Sequence, residues 1–178
     1  RLVGSINEVL SGYDLNQEIP IMKGMTAGTN VRSYLITGNT GSGKTEAFKY
    51  FEQVFSRTTN RSGTKSAKVI IFDSKKGAGS RWAKRNNPEI ELIVPKEGDR
   101  PEDYIPRCNR RLEQIVVEMN HRQDELYNFS NRITTDANEL DVPPIWVMFE
   151  EFEGVTLGMS PRSSQIQDLY RLLTLIAL

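Results

Sequence analysis

The chain has 178 residues, with 23 Lys and Arg against 23 Asp and Glu, so its formal net charge is zero and bulk charge does not make it a polyanion binder. Its 38% hydrophobic and 26% charged content is that of one domain able to bury its own core, and no apolar run reaches the roughly 18 residues that cross a bilayer. A lone cysteine, Cys108, excludes an internal disulfide and a cysteine metal cluster.

Residues 1–32 predict a lead-in segment: a short helical pattern around 6–10, an extended stretch at 19–22 and a Gly/Thr/Asn-rich turn, together a hairpin-like approach. Residues 33–178 predict a single further domain. Within it, 33–37 (SYLIT) is a short apolar strand that stops at Gly38, and Ala47, Phe48, Phe51, Val54 and Phe55 recur at helical spacing over 44–55. Segment 57–68 carries four basic residues and no acidic one, a solvated loop. Residues 69–72 (VIIF) lack polar alternation, as a parallel strand covered on both faces does, and 91–95 (ELIVP) is a shorter strand. A long amphipathic helix follows over 101–129, its stripe made by Leu112, Ile115, Val116, Met119, Leu126 and Tyr127.

Residues 128–142 are polar and loop-like. Pro143 and Pro144 then introduce the apolar strand 145–149 (IWVMF), which runs into Glu150 and Glu151. After a Gly/Met/Ser/Pro loop at 154–162, Ile166, Leu169, Tyr170, Leu173 and Ile176 form a last helical stripe. Strands alternating with helices predict a wound α/β sheet. The sequence begins at Arg1 and stops inside an apolar helical run without a Gly, Asn or Pro stop, so it reads as a piece of a longer protein, truncated at its C-terminal end.

Gly38, Asn39, Thr40, Gly41, Ser42, Gly43, Lys44 and Thr45 fit GxxxxGK[ST], the phosphate loop, between a strand and a helix as that loop requires. Its glycines let successive amides turn inward onto phosphate oxygens at the positive end of a helix dipole. Lys44 then reaches the β and γ phosphates of ATP, and the Thr45 hydroxyl meets Mg2+. A Gly-rich turn that only caps a helix is the plainer alternative. Such a site needs acids at a neighbouring strand end, and Glu150 and Glu151 stand at one; strand alternation sends them in different directions, so that one can face the metal and the other the terminal phosphate. A charged turn closing a strand is the alternative there.

Asp73, Lys75 and Lys76 also stand at a strand's carboxyl end, where open α/β sheets bind ligands, although a simple Asp-Ser turn accounts for them equally well. His121 falls on the polar side of the long helix with no assigned role. Cys108, Trp82 and Trp146 read as packing residues.

In order along the chain, GNTGSGKT, Ile71-Phe72-Asp73-Ser74-Lys75, Glu118-Met119-Asn120-His121-Arg122, Phe149-Glu150-Glu151-Phe152 and the helix at 169–177 resemble landmarks of the FtsK/SpoIIIE and HerA superfamily of motors, conjugative coupling proteins included. The resemblance implies a RecA-like fold with a largely parallel central sheet flanked by helices. It also implies an ATP hydrolase that works as a homo-hexameric ring and draws DNA, usually duplex, through a central pore. Glu151 matches the family's catalytic glutamate, while Glu150 stands where the family usually has Asp. Pore contacts fall in 128–142, with Arg132, and in 154–164, with Arg162; the basic loop 57–68 is an alternative contact. The family's polar sensor strand and its arginine finger fall beyond residue 178. A cytoplasmic domain is implied, one that family members often tether through an upstream membrane anchor.

Two other readings compete. One is a secretion-type or regulatory module of the same fold that binds ATP, hydrolyses little and moves or docks protein. The other is a small-molecule phosphate-loop kinase, which the long helix between strands fits poorly.

Overall fold

The structure is a computed structural model that describes residues 8–14, 19–24, 41–60, 62–129, 140–156 and 158–177. In chain order the elements are β1 (Glu8–Asp14), β2 (Ile19–Gly24), α1 (Lys44–Ser56), β3 (Lys68–Asp73), α2 (Ala78–Asn86), β4 (Glu91–Ile93), α3 (Pro101–Phe129), β5 (Ile145–Glu150), α4 (Phe152–Thr156) and α5 (Ser164–Ala177). It is a mixed α/β structure with a three-stranded parallel sheet in the order β4-β3-β5 and helices on both faces.

Strand β3 explains the layering. Val69, Ile71, Ile70 and Phe72 are all almost fully buried, and strand alternation turns the first two to one face and the second two to the other. Val69 and Ile71 pack with Phe55 of α1, Ala83 of α2 and Met148 of β5. Ile70 and Phe72 pack with Ile105, Cys108 and Leu112 of α3 and with Ile166 and Leu169 of α5. Each such side chain contributes about 1.5–3 kcal/mol by leaving water. A sequence with no polar position on β3 is thus the signature of a strand that sees no solvent on either side. Cys108, fully buried, is a packing residue whose thiol pKa burial pushes up to about 11. Trp146 also packs, stacking on Phe55 with ring centroids 4.1 Å apart while its indole N–H donates to Thr58 Oγ1 at 2.7 Å.

Helix α3 has the predicted bounds, and its 29 residues span about 43 Å at the α-helical rise. The short helix expected around residues 6–10 is corrected: residues 8–10 belong to β1, which pairs antiparallel with β2. Val9, Tyr13 and Gly12 disfavour helix, and a register shift between Leu10 and Gly12 absorbs one extra residue as a bulge. The strand predicted at 33–37 lies outside the described residues. Two helices, α2 and α4, go beyond the elements predicted from the sequence.

The loop between α1 and β3 is ordered by one side chain. Asn60 Oδ1 accepts from the amides of Thr64 and Lys65 at 2.9 and 2.8 Å, and its Nδ2 donates to Thr64 Oγ1 and to Asp141 Oδ1. Lys65 Nζ donates to the Asp141 carbonyl at 2.6 Å, and Ser62 Oγ to the Asp141 carboxylate at 2.7 Å. Arg122 of α3 donates to the Pro143 carbonyl at 2.9 Å. These bonds tie together the segments that enter β3 and β5 at the amino edge of the sheet.

Candidate functional site at the carboxyl edge of the sheet

Adjacent parallel strands β3 and β5 end in register, Asp73 beside Glu150. From β3 the chain leaves into α2, which packs with the α1 side of the sheet; from β5 it leaves into α4, whose Val155 packs on the α3 and α5 side. Connections that depart to opposite faces mark these strand ends as the position where an open α/β sheet usually takes its ligand.

Alternation sends Asp73 to the face of Val69 and Ile71, and Glu150 to the face of Trp146 and Met148. Both carboxylates are buried. Asp73 Oδ1 accepts from the Lys75 amide at 2.8 Å, and its Oδ2 accepts from the Gly77 amide at 2.5 Å and from Ser80 Oγ. Glu150 Oε1 accepts from the Gly79 amide at 3.1 Å and Oε2 from the Ser80 amide at 2.7 Å. Helix α2 has no side-chain N-cap bond at Gly77, and the acceptors for its first-turn amides come from these strand ends instead. Burial raises the Glu150 pKa above the ordinary carboxylate value, the Asp73 carboxylate adds to the rise, and the Ser80 and Gly79 amides oppose it.

Two glycines make this docking possible. A Cβ at Gly77 would lie 2.8 Å from Glu150 Oε1, and one at Gly79 would lie 2.6 Å from Glu150 Oε1 and 3.0 Å from Phe48 Cδ1. Phe48 sits one helical turn beyond Lys44. The start of α1, the start of α2 and the end of β5 therefore converge at Gly79.

Glu151 lies one residue past the end of β5, where strand alternation no longer sets its direction, and its partner is Lys75 and not an α2 amide. Its backbone is left-handed, with φ 54°, and so is that of Lys76, with φ 55°. Non-glycine residues hold that conformation at a cost of about 1–2 kcal/mol each. The Lys75 ammonium and the Glu151 carboxylate form an ion pair between the turns after β3 and β5, both side chains about half-exposed. Hydrogen bonding to Glu151, and then its charge, raise the Lys75 pKa above its ordinary value. Gly154, whose amide donates to the Glu151 carbonyl at 2.8 Å, has no room for a Cβ because Ser74 Oγ and the Lys75 stem fill that space. The turns after β3 and β5 are thus packed directly on each other.

Of the phosphate-loop residues, Gly38, Asn39 and Thr40 lie outside the described residues. Gly41 and Gly43 have φ 84° and 87°, a backbone conformation that favours glycine, and among the described residues a Cβ at either would meet nothing within 4 Å. Gly43 is the N-cap of α1 and has no side chain with which to cap the first-turn amides. Lys44 is half-buried and Thr45 exposed in the first turn.

Of the two arginines expected at a pore, only Arg162 lies among the described residues. Arg162 is exposed in the turn before α5. Arg132 lies outside the described residues, and the described residues flanking its segment, the end of α3 and Asp141, belong to the amino edge. The basic loop between α1 and β3 is at that amino edge too, away from the phosphate-loop glycines. His121 is exposed and faces Glu125 at 3.6 Å.

The residues sequence reasoning missed are Gly77, Gly79 and Ser80, together with the pairing of Lys75 with Glu151. Asp73 and Glu150 were each legible as strand-end acids, but their joint hold on α2 has no local signal. Among the described residues, no group of three or more His, Cys, Asp or Glu side chains is arranged to hold a metal ion, and no helix is long and apolar enough to cross a membrane. The fold and site define a mixed α/β protein with a small three-stranded parallel sheet whose carboxyl edge carries a polar cluster. Comparison of the chain with protein-family models, curated proteins and solved structures finds no match in any of the three.

Proposed function

We propose that this chain is a RecA-like P-loop ATPase, a subunit of a DNA translocase of the FtsK/SpoIIIE and HerA kind. The observation that carries the proposal is the convergence at Gly79. It draws the helix that opens at Gly43-Lys44-Thr45 to the strand end that carries Glu150 and Glu151. A triphosphate held by the loop amides then faces that strand end.

In this reading Lys44 neutralises the β and γ phosphates, and the Thr45 hydroxyl is the protein's direct contact to Mg2+. Bound magnesium supplies charge neutralisation on the phosphates. Glu150 does not fit beside it as a ligand, because both its oxygens accept from α2 amides. Its role is to fix α2, which explains why Glu serves where the resembling motors have Asp: the longer side chain reaches the Gly79 and Ser80 amides. Glu151 accepts the proton of the attacking water. As the new P–O bond forms, the bond from the γ phosphorus to the bridging oxygen breaks and its electron pair leaves with ADP. A homo-hexameric ring, cytoplasmic, with Arg162 among the contacts to duplex DNA, completes the proposal.

ATP turnover measured with and without duplex DNA tests it. Stimulation by DNA that falls steeply with salt supports a translocase; turnover indifferent to DNA rejects it. One observation favours a second reading, a module that binds ATP and docks protein: both strand-end glutamates already have protein partners, Glu150 the α2 amides and Glu151 the Lys75 ammonium. Tight ATP binding with negligible turnover at any DNA concentration selects it.

A further inference from the structure

The ion pair between Lys75 and Glu151 is an odd expenditure for a surface contact. An exposed pair of this kind contributes little to stability. Here, however, the surroundings fix both partners. The Lys75 amide is held by Asp73 at 2.8 Å, Lys76 and Glu151 both have left-handed backbones, and Gly154 leaves no gap between the two turns. Strained residues held this firmly at a strand end are a mark of function. The pair also spans the point where the chain leaves β3 and β5 for opposite faces, the place where open α/β sheets take their ligands.

We propose that Lys75 is a terminal-phosphate sensor that exchanges partners: without nucleotide it pairs with Glu151, and in the triphosphate complex its ammonium moves to the terminal phosphate and releases the Glu151 carboxylate. This rests on the phosphate-loop reading above. A phosphate with two negative charges outcompetes a single carboxylate for one ammonium, so a nucleoside triphosphate makes the exchange and a diphosphate, which ends short of Lys75, does not. Lys75 is therefore a specificity-determining residue for triphosphate over diphosphate, and a positioning residue for Glu151.

Equilibrium binding of ATP and of ADP, each with Mg2+, to the full chain and its variants tests this without requiring turnover. Lys75→Met is expected to weaken ATP about tenfold while leaving ADP unchanged, and Lys75→Arg to restore most of the preference. Glu151→Gln removes the competitor and is expected to tighten ATP, but not ADP, several-fold; combined with Lys75→Met that gain disappears, because the residue that would use it is gone. Equal losses for ATP and ADP in Lys75→Met, or a Glu151→Gln gain that survives in the double variant, overturn the exchange while leaving the phosphate-loop reading intact. Failure of the unaltered chain to bind either nucleotide rejects both together. Lys75 is exposed, so an unchanged thermal midpoint for Lys75→Met accompanies the supporting result.

Discussion

The two edges of the sheet hold comparable numbers of polar bonds and use them differently. At the amino edge, Asn60 gathers Thr64, Lys65 and Asp141 into a knot that satisfies itself, and Arg122 adds a tie to the Pro143 carbonyl. At the carboxyl edge, two carboxylates are buried side by side in register and two non-glycine residues have left-handed backbones. The first edge closes loops. The second keeps buried charge and left-handed backbone together, and in the function proposed above this is the end on which the ligand acts.

Substitutions at the two ends sharpen this contrast. The largest expected effect is at the carboxyl edge: Lys44→Ala weakens ATP by about 100-fold or more, equivalent to ~2.7 kcal/mol. Isothermal titration checks it, and equal affinity for the variant removes the lysine from the site. Gly79→Ala comes next. Its Cβ would press on Glu150 and Phe48 at once, so denaturant unfolding should show a loss of about 1–3 kcal/mol together with weakened ATP binding. Asn60→Ala breaks the knot at the other edge and should cost about 1–2 kcal/mol of stability with ATP affinity unchanged. An equal loss of binding in Asn60→Ala would erase the division of labour between the edges.

The smallest effect is in pH. Burial raises the folded-state pKa of Glu150 above its ordinary value of 4.5, so the folded protein binds that proton more tightly than the unfolded chain. This group therefore adds stability as pH falls from neutral through the raised folded value toward 4.5, and adds nothing further below it. Urea titrations should show wild type gaining on Glu150→Gln across that window; parallel curves contradict the shift.

The legibility of the molecule in its sequence follows the same line. Helix α3 was readable because its stripe is periodic through Leu112, Ile115 and Leu126, although Tyr127, read as part of it, is exposed, and β3 because its apolar run is short, β-branched and aromatic and ends at turn residues. The start of α1 was readable because glycine at 41 and 43 serves a local backbone need. Helix α2 was not. Its sequence, AGSRWAKRN, is short, mostly polar and without a capping residue of its own, and its start is held by Glu150, 71 residues from Gly79. A cap supplied through tertiary contact leaves no trace in local sequence. The same holds for Lys75, an ordinary turn lysine until the fold brings Glu151 to it. For β1, local helical spacing lost to pairing with β2, a contact that short-range pattern does not contain.

The most direct test of the central claim, that a triphosphate bound at residues 41–45 meets the Glu151 carboxylate, is single-turnover hydrolysis of pre-bound ATP by the full chain and by Glu151→Gln. The account predicts that bound ATP becomes ADP in the unaltered chain and persists in the variant, at undiminished affinity. Conversion at the same rate in both contradicts it.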